Sequence, residues 1–151
     1  MAIKRTDPNT IFLGGDRTQV GDLAVSTVLL PGMGVERFNN AGVIRWRKAA
    51  ADSVGPAAVI TNQSMLNKKV DDPYNVGELA EVSILEAGAA AWMFLASGQV
   101  IVAGDKLGNA GDGSLKKNAA VTLYTALEAK TAADNTTRIR VEAAGHMQTQ
   151  P

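Results

Sequence analysis

The sequence predicts an all-β fold: a small β-barrel or sandwich of short antiparallel strands, with an extended N-terminal arm and at most one or two short helices. Three observations carry that expectation. From Val20 onward, turn residues recur at short and regular intervals. The apolar runs between them are brief and rich in Val, Leu, Ile and Thr, which suits a half-buried pleated surface. No stretch shows a convincing apolar stripe at the 3.6-residue period of a helix.

The elements follow in order. Residues 1–19 show neither period; Asp7-Pro8-Asn9 and Gly14-Gly15-Asp16 punctuate them, with only Ile11-Phe12-Leu13 apolar between. They read as an extended arm ordered by a neighbour, with a frayed terminus as the alternative. A single β domain then spans residues 20–144, and residues 145–151 form a C-terminal tail. Within the domain, residues 23–30 make a strand ending at Pro31-Gly32. Residues 35–38 and 43–47 flank Asn39-Asn40-Ala41-Gly42, a hairpin turn, because Asn and Gly tolerate positive φ. Residues 57–60 follow Gly55-Pro56, and residues 79–85 follow Gly77. Residues 89–96 are alanine-rich yet bracketed by Gly88 and Gly98, so strand and helix both stay open. Residues 99–102 continue as strand. Asn109 to Ser114 is the clearest hairpin loop, and residues 121–126 and 137–141 complete the set. A short helix is allowed at 48–53 or 64–68.

Composition removes many functions. The chain has 151 residues, a length suited to one domain, with 15 Lys+Arg against 15 Asp+Glu, one histidine and no cysteine. Without cysteine there is no disulfide, thiol nucleophile or Cys-ligated metal, and His146 alone cannot build a multi-histidine site. A formal charge of zero argues against a general binder of phosphate backbones. No segment approaches the ~18 apolar residues of a membrane span, and Lys4-Arg5 is not followed by the apolar stretch of a signal peptide. The expectation is a soluble protein made in the cytoplasm, bound to neither membrane nor nucleic acid. Aromatic residues are only 5% of the chain, so a core of Ala, Val, Leu and Ile buries modest area and association would help it.

Catalytic constellations are not apparent. Glu78, Glu81 and Glu86 lack an accompanying base or electrophile and read as solvated strand faces. The serines have no nucleophile-elbow context, and the sole histidine is near the end. Asp105, Asn109 and Asp112 lack the spacing of a calcium loop, and Gly14-Gly15 and Gly32-x-Gly34 match no phosphate-binding fingerprint. The expectation is a non-enzyme with no cofactor and no metal. Arg37, Arg45, Arg47 and Lys48 form the only basic cluster, with Trp46 inside it. Arg and Trp are enriched at interface hot spots, which makes this hairpin a docking patch. Single-stranded nucleic acid is a second reading, and a solvated hairpin with a buried tryptophan is the bland one. Trp92 and Phe94, within an apolar run, read as core.

Two ordered blocks carry a family resemblance. The first is Ser97-Gly98-Gln99-Val100-Ile101-Val102-Ala103-Gly104-Asp105-Lys106-Leu107 with Ala110-Gly111-Asp112-Gly113-Ser114-Leu115-Lys116-Lys117. The second runs from Tyr124-Thr125-Ala126-Leu127-Glu128-Ala129 to Asp134-Asn135-Thr136-Thr137-Arg138-Ile139-Arg140-Val141, and Val20-Gly21-Asp22-Leu23-Ala24-Val25 echoes the same strand–turn unit. In this order the chain resembles the capsid decoration, or cement, proteins of tailed bacteriophages, formerly a domain of unknown function. The likeness covers residues 78–143 well and residues 20–77 loosely. It implies a non-enzymatic virion protein on the outer capsid surface that binds the major capsid protein across capsomer junctions, reinforces the shell and forms homotrimers. Under that reading the candidate capsid contacts are Ile11, Phe12 and Leu13 in the arm, with Arg37, Arg45, Trp46 and Arg47 in the hairpin. The alternative from another class is a small β-barrel module binding oligonucleotide or glycan.

Overall fold

Among the described residues, turn residues cut the chain into thirteen strands, and there is no helix. The structure is a computed structural model; it describes residues 10–63 and 68–149, with the backbone alone for 145–149. The strands are β1 (Phe12–Gly14), β2 (Arg17–Ala24), β3 (Val35–Asn40), β4 (Val43–Lys48), β5 (Ala58–Thr61), β6 (Leu79–Leu85) and β7 (Ala90–Phe94). They continue with β8 (Val100–Ile101), β9 (Lys106–Asn109), β10 (Leu115–Lys117), β11 (Val121–Ala126), β12 (Lys130–Thr131) and β13 (Arg138–Thr149).

These strands make a six-stranded sheet in the order β1-β7-β13-β11-β9-β10, a three-stranded sheet β2-β6-β5, and two ribbons, β3-β4 and β12-β8. All their pairings are antiparallel, and among the described residues no sheet closes into a barrel. The result is a small β sandwich in which β2-β6-β5 is the middle layer. Strand alternation explains how one sheet serves two cores. Val59 and Leu85 point to one side, where they join Ile11, Met93, Leu107, Leu123, Tyr124, Ile139 and Val141 of the large-sheet core. Ala58, Ile60, Ala80 and Val82 point to the other, against Val25, Leu29, Val35, Trp46 and Tyr74. Burial on both faces is why β5 reads as the unbroken apolar run Ala58-Val59-Ile60.

Arg138 ties the layers together. It stands opposite Phe94 in the β7–β13 register, with its guanidinium 4.5 Å from the ring centre. From there it donates to the Pro31 and Val70 carbonyls at 3.1 and 2.8 Å and meets Asp71 at 3.2 Å. A buried guanidinium is tolerable only when so paired.

Several expectations change. The arm boundary at residue 19 does not stand for residues 10–19: β1 pairs with β7, β2 pairs with β6, and Ile11 is wholly buried in the large-sheet core. Pairing across some eighty residues of sequence, invisible to local pattern, accounts for this (Phe12 meets Ala91). Residues 1–9 lie outside the described residues. The tail also begins later than residue 145, since β13 runs to Thr149 and continues pairing with β11 at Thr122–Gln148 and Val121–Thr149. Residues 89–96 resolve as strand. Residues 48–53 are strand end and turn rather than helix; the other helix candidate, 64–68, falls mostly outside the described residues.

Candidate interaction surface

The β3–β4 ribbon is closed by the two-residue turn Ala41-Gly42, with φ of 53° and 91°. Two consecutive positive φ values match the mirror-image turn that suits strand twist, and Asn39 Oδ1 accepts from the Gly42 amide at 2.7 Å. The register sets two faces. On one, Val35, Arg37 and Asn39 lie opposite Lys48, Trp46 and Ile44; on the other, Glu36, Phe38 and Asn40 lie opposite Arg47, Arg45 and Val43.

Only the base of this ribbon is anchored. Trp46 is 1% exposed, with its backbone bridged to Val25 and its carbonyl accepting from the Ser26 amide at 3.0 Å. Its indole Nε1 has no hydrogen-bond partner among the described residues, so packing holds it. The tip is free: residues 39–44 are all exposed, including Val43 at 54% and Ile44 at 44%.

The basic residues divide by partner. Arg47 meets Glu36 at 3.5 Å and lies 4.7 Å over the Phe38 ring. Glu36 is further occupied by the Ala50 amide at 2.6 Å. Arg37 lies 5.4 Å over Trp46, and among the described residues neither Arg37 nor Arg45 has a carboxylate partner. Arg45 also leaves a buried Nε without an acceptor.

The other candidates belong to a different sheet from the hairpin. Ile11 is core, and Phe12 is half-buried beneath the Arg17 guanidinium, 4.0 Å from the ring centre. Leu13 is 43% exposed and is the member of the triplet that offers surface. The structure therefore does not gather the seven sequence candidates into one patch, and it withdraws Ile11 and Trp46 from contact with any partner that leaves the fold intact.

Sequence reasoning missed three features. Val43 and Ile44 at the tip were hidden because they read as ordinary strand residues. Trp92, read as core, is only half-buried on the outer face of the large sheet, opposite Arg140 in the β7–β13 register. Arg140 lies 5.8 Å from the ring centre and Lys130 lies 6.0 Å from it. Arg140 is in turn held by Glu128 at 3.0 Å. The third is an open cleft of about 210 Å³ lined by Met33, Lys48, Phe94, Asp112, Ser114 and Asn135. Burial works against ionisation of Asp112, but hydrogen bonds from the Ser114 hydroxyl and amide hold its carboxyl below the ordinary aspartate range. Among the described residues, no group of three or more acidic or histidine side chains is placed to hold a metal.

The described residues thus define a small antiparallel β sandwich whose distinctive features are exposed surfaces. No protein-family model matches the chain, and no curated protein matches its sequence. Among solved structures, the chain is similar to the crystal structure of the N base of head fiber gp8.5 in bacteriophage phi29. The TM-score is 0.60 at 12% identity, over 89% of this chain and 100% of that one. At that identity the likeness is one of fold.

Proposed function

We propose that this chain is a non-enzymatic structural protein of a phage virion, bound to the outer surface of the head. It is made in the bacterial cytoplasm, docks across junctions of the major capsid protein and stabilises the shell. The observation that carries this reading is the fold shared, over nearly the whole chain, with the base of a phage head fiber. The ordered strand–turn motifs of residues 78–143 support it from the sequence side. Physically, a three-layer β body is a stiff clamp, and many identical weak contacts on a shell sum to stability that no single contact supplies. A ligand that binds only the intact shell shifts its disassembly by mass action.

The test uses heads lacking the protein. Added protein is expected to co-sediment with them and raise their survival in a heating series. Equal survival of decorated and bare heads would remove the cementing role.

A glycan- or oligonucleotide-binding role is favoured by one observation, the half-buried Trp92 between Arg140 and Lys130, since a ring flanked by cations can stack a sugar or base. A salt-sensitive mobility shift with single-stranded nucleic acid, or retention on a glycan column abolished by Trp92→Ala, would favour it over shell binding.

A further inference from the structure

The β3–β4 ribbon concentrates charge. Its own residues hold four cations, Arg37, Arg45, Arg47 and Lys48, and one carboxylate, Glu36, whereas the whole chain balances, so the rest of the molecule is net acidic. The surplus of carboxylates is not evenly placed. Asp16 and Glu86 are brought together by the Glu86 amide donating to the Asp16 carbonyl at 3.0 Å. Gly88 donates to Ala143 at 2.9 Å, which sets the 86–88 turn beside Glu142. Glu142 pairs with Ala90, and Ala90 pairs on its other side with Gly14, the residue after exposed Leu13. Leu13, Asp16, Glu86 and Glu142 therefore share one rim, apolar and acidic. Among the described residues none of these three carboxylates has an ion-pair partner. Of the cations around the rim, Arg17 is engaged by Ser83 Oγ at 2.8 Å and by the Phe12 ring, Arg140 by Glu128 at 3.0 Å, and Lys106 donates to the Thr125 hydroxyl at 3.0 Å, across the strand from Glu142.

The tip of the ribbon is the chemical complement of this rim on either face: exposed Val43 with Arg45 on one, exposed Ile44 with Arg37 on the other, and neither arginine has a carboxylate of its own among the described residues. The two surfaces do not meet within one molecule. Asp16 precedes β2, while the ribbon base joins the body at Val25, just past the far end of that strand. The eight residues of β2 span ~25 Å when extended. We propose that the tip of the β3–β4 ribbon docks on the Leu13–Asp16–Glu86–Glu142 rim of a second copy of this chain. Because the two patches differ, the contact is head-to-tail, and it leaves no tip unpaired only when copies close into a ring. Apolar side chains supply the buried area, and the opposite charges set register and exclude the like-charged approach of tip to tip. This contact is independent of shell binding, so either can fail without the other.

The test is self-association of the purified full chain, followed by sedimentation velocity across a concentration series. Association is expected at low salt and is expected to weaken in ~1 M salt, where the screening length falls to ~3 Å. Arg45→Glu and Glu86→Arg should each weaken it at least ~10-fold while leaving the melting midpoint in place, and the double variant should restore it. Arg37→Glu with Asp16→Arg provides a second exchange should either first variant fail to fold. A monomeric wild type, single variants that associate normally, or folded charge exchanges that fail to restore association would each overturn the proposal.

Discussion

The β3–β4 and β9–β10 hairpins start from the same kind of signal, an Asn- and Gly-bearing turn between short apolar arms, yet they end in opposite surroundings. In β9–β10, Asn109 pairs with Leu115, and Leu107, Gly108, Asn109, Ser114 and Leu115 are all buried: Leu107 and Leu115 join the large-sheet core, and β11 pairs along the other edge of β9. In β3–β4 only Val35 and Trp46 reach a core, and everything beyond them is progressively open. Turn chemistry therefore decides that a hairpin forms. Whether it becomes wall or projection depends on which strands arrive from elsewhere in the chain.

The largest effect is expected at the anchor of the projecting hairpin. Trp46→Ala should cost about 3–5 kcal/mol, the range for removing a buried large aromatic ring, read as a lower midpoint in denaturant. Heads would also bind less of such a variant, but in proportion to its unfolded fraction. A Trp46→Ala protein with wild-type stability and lost binding would return this side chain to the contact surface.

In the walled hairpin the sensitive position is a glycine. A Cβ at residue 108 would run into the Val121 carbonyl oxygen and stand 2.6 Å from Ala119 Cβ. Gly108→Ala should therefore cost about 1–3 kcal/mol through a lifted β11, whereas a Cβ at Gly42 in the projecting turn meets no atom within 4 Å. Thermal melts of the two alanine variants give the contrast directly: Gly42→Ala carries only the strain of its positive φ.

The next effect reaches both cores through pH. Both tyrosines are buried, Tyr74 in the core that holds Trp46 and Tyr124 in the large-sheet core. Burial pushes the Tyr74 phenol up to about 12 against backbone hydrogen bonds at Glu81 and Gln63 that favour its ionised form; the neutral hydroxyl donates to the Thr61 carbonyl at 2.7 Å, and burial raises Tyr124 as well. The unfolded chain releases these protons near 10, so their contribution is fully present below that pH and is lost as pH rises toward 12. Tyrosinate absorbance should appear together with unfolding, rather than as a reversible titration near pH 10. Free titration at pH 10 in the folded protein would contradict the burial.

The smallest effect is a gain. Ala41 holds a left-handed φ of 53° without a glycine's freedom or an asparagine's local hydrogen bond. Ala41→Asn makes the turn Asn-Gly and should add ~0.5–1 kcal/mol in the same melts, with no change at β9–β10.

These contrasts mark what the residues disclosed beforehand. The strand content, both hairpins, β6 and β11 were legible because their turns carry local chemistry and their arms carry local period. β1 was not, because three apolar residues say nothing of a partner near Ala91. The end of β13 was hidden by an irregularity in its pairing with β11 between Thr122 and Tyr124 and by the polar residues beyond it. Of the site candidates, the basic cluster was legible as a hairpin. The burial of Trp46 was one of that hairpin's open readings and could not be chosen, because its fate was set by a bridge to Val25, a contact that no spacing encodes.

The position of β13 has a consequence for the order of events during synthesis. This strand lies inside the six-stranded sheet, between β7 and β11, although it is made after both of them. Until Arg138–Thr149 has been made, β7 and β1 lack their link to β11, β9 and β10, and Arg138 has not yet fastened the segments around Pro31 and Val70. Pairings this distant in sequence close late and slowly, since loop closure comes before any contact repays it. The nascent chain is therefore expected to finish folding only once β13 has emerged, with β7 and β11 exposing unpaired edges in the interval. A chaperone would meet the protein in that form, and a chain shortened before Arg138 would remain in it.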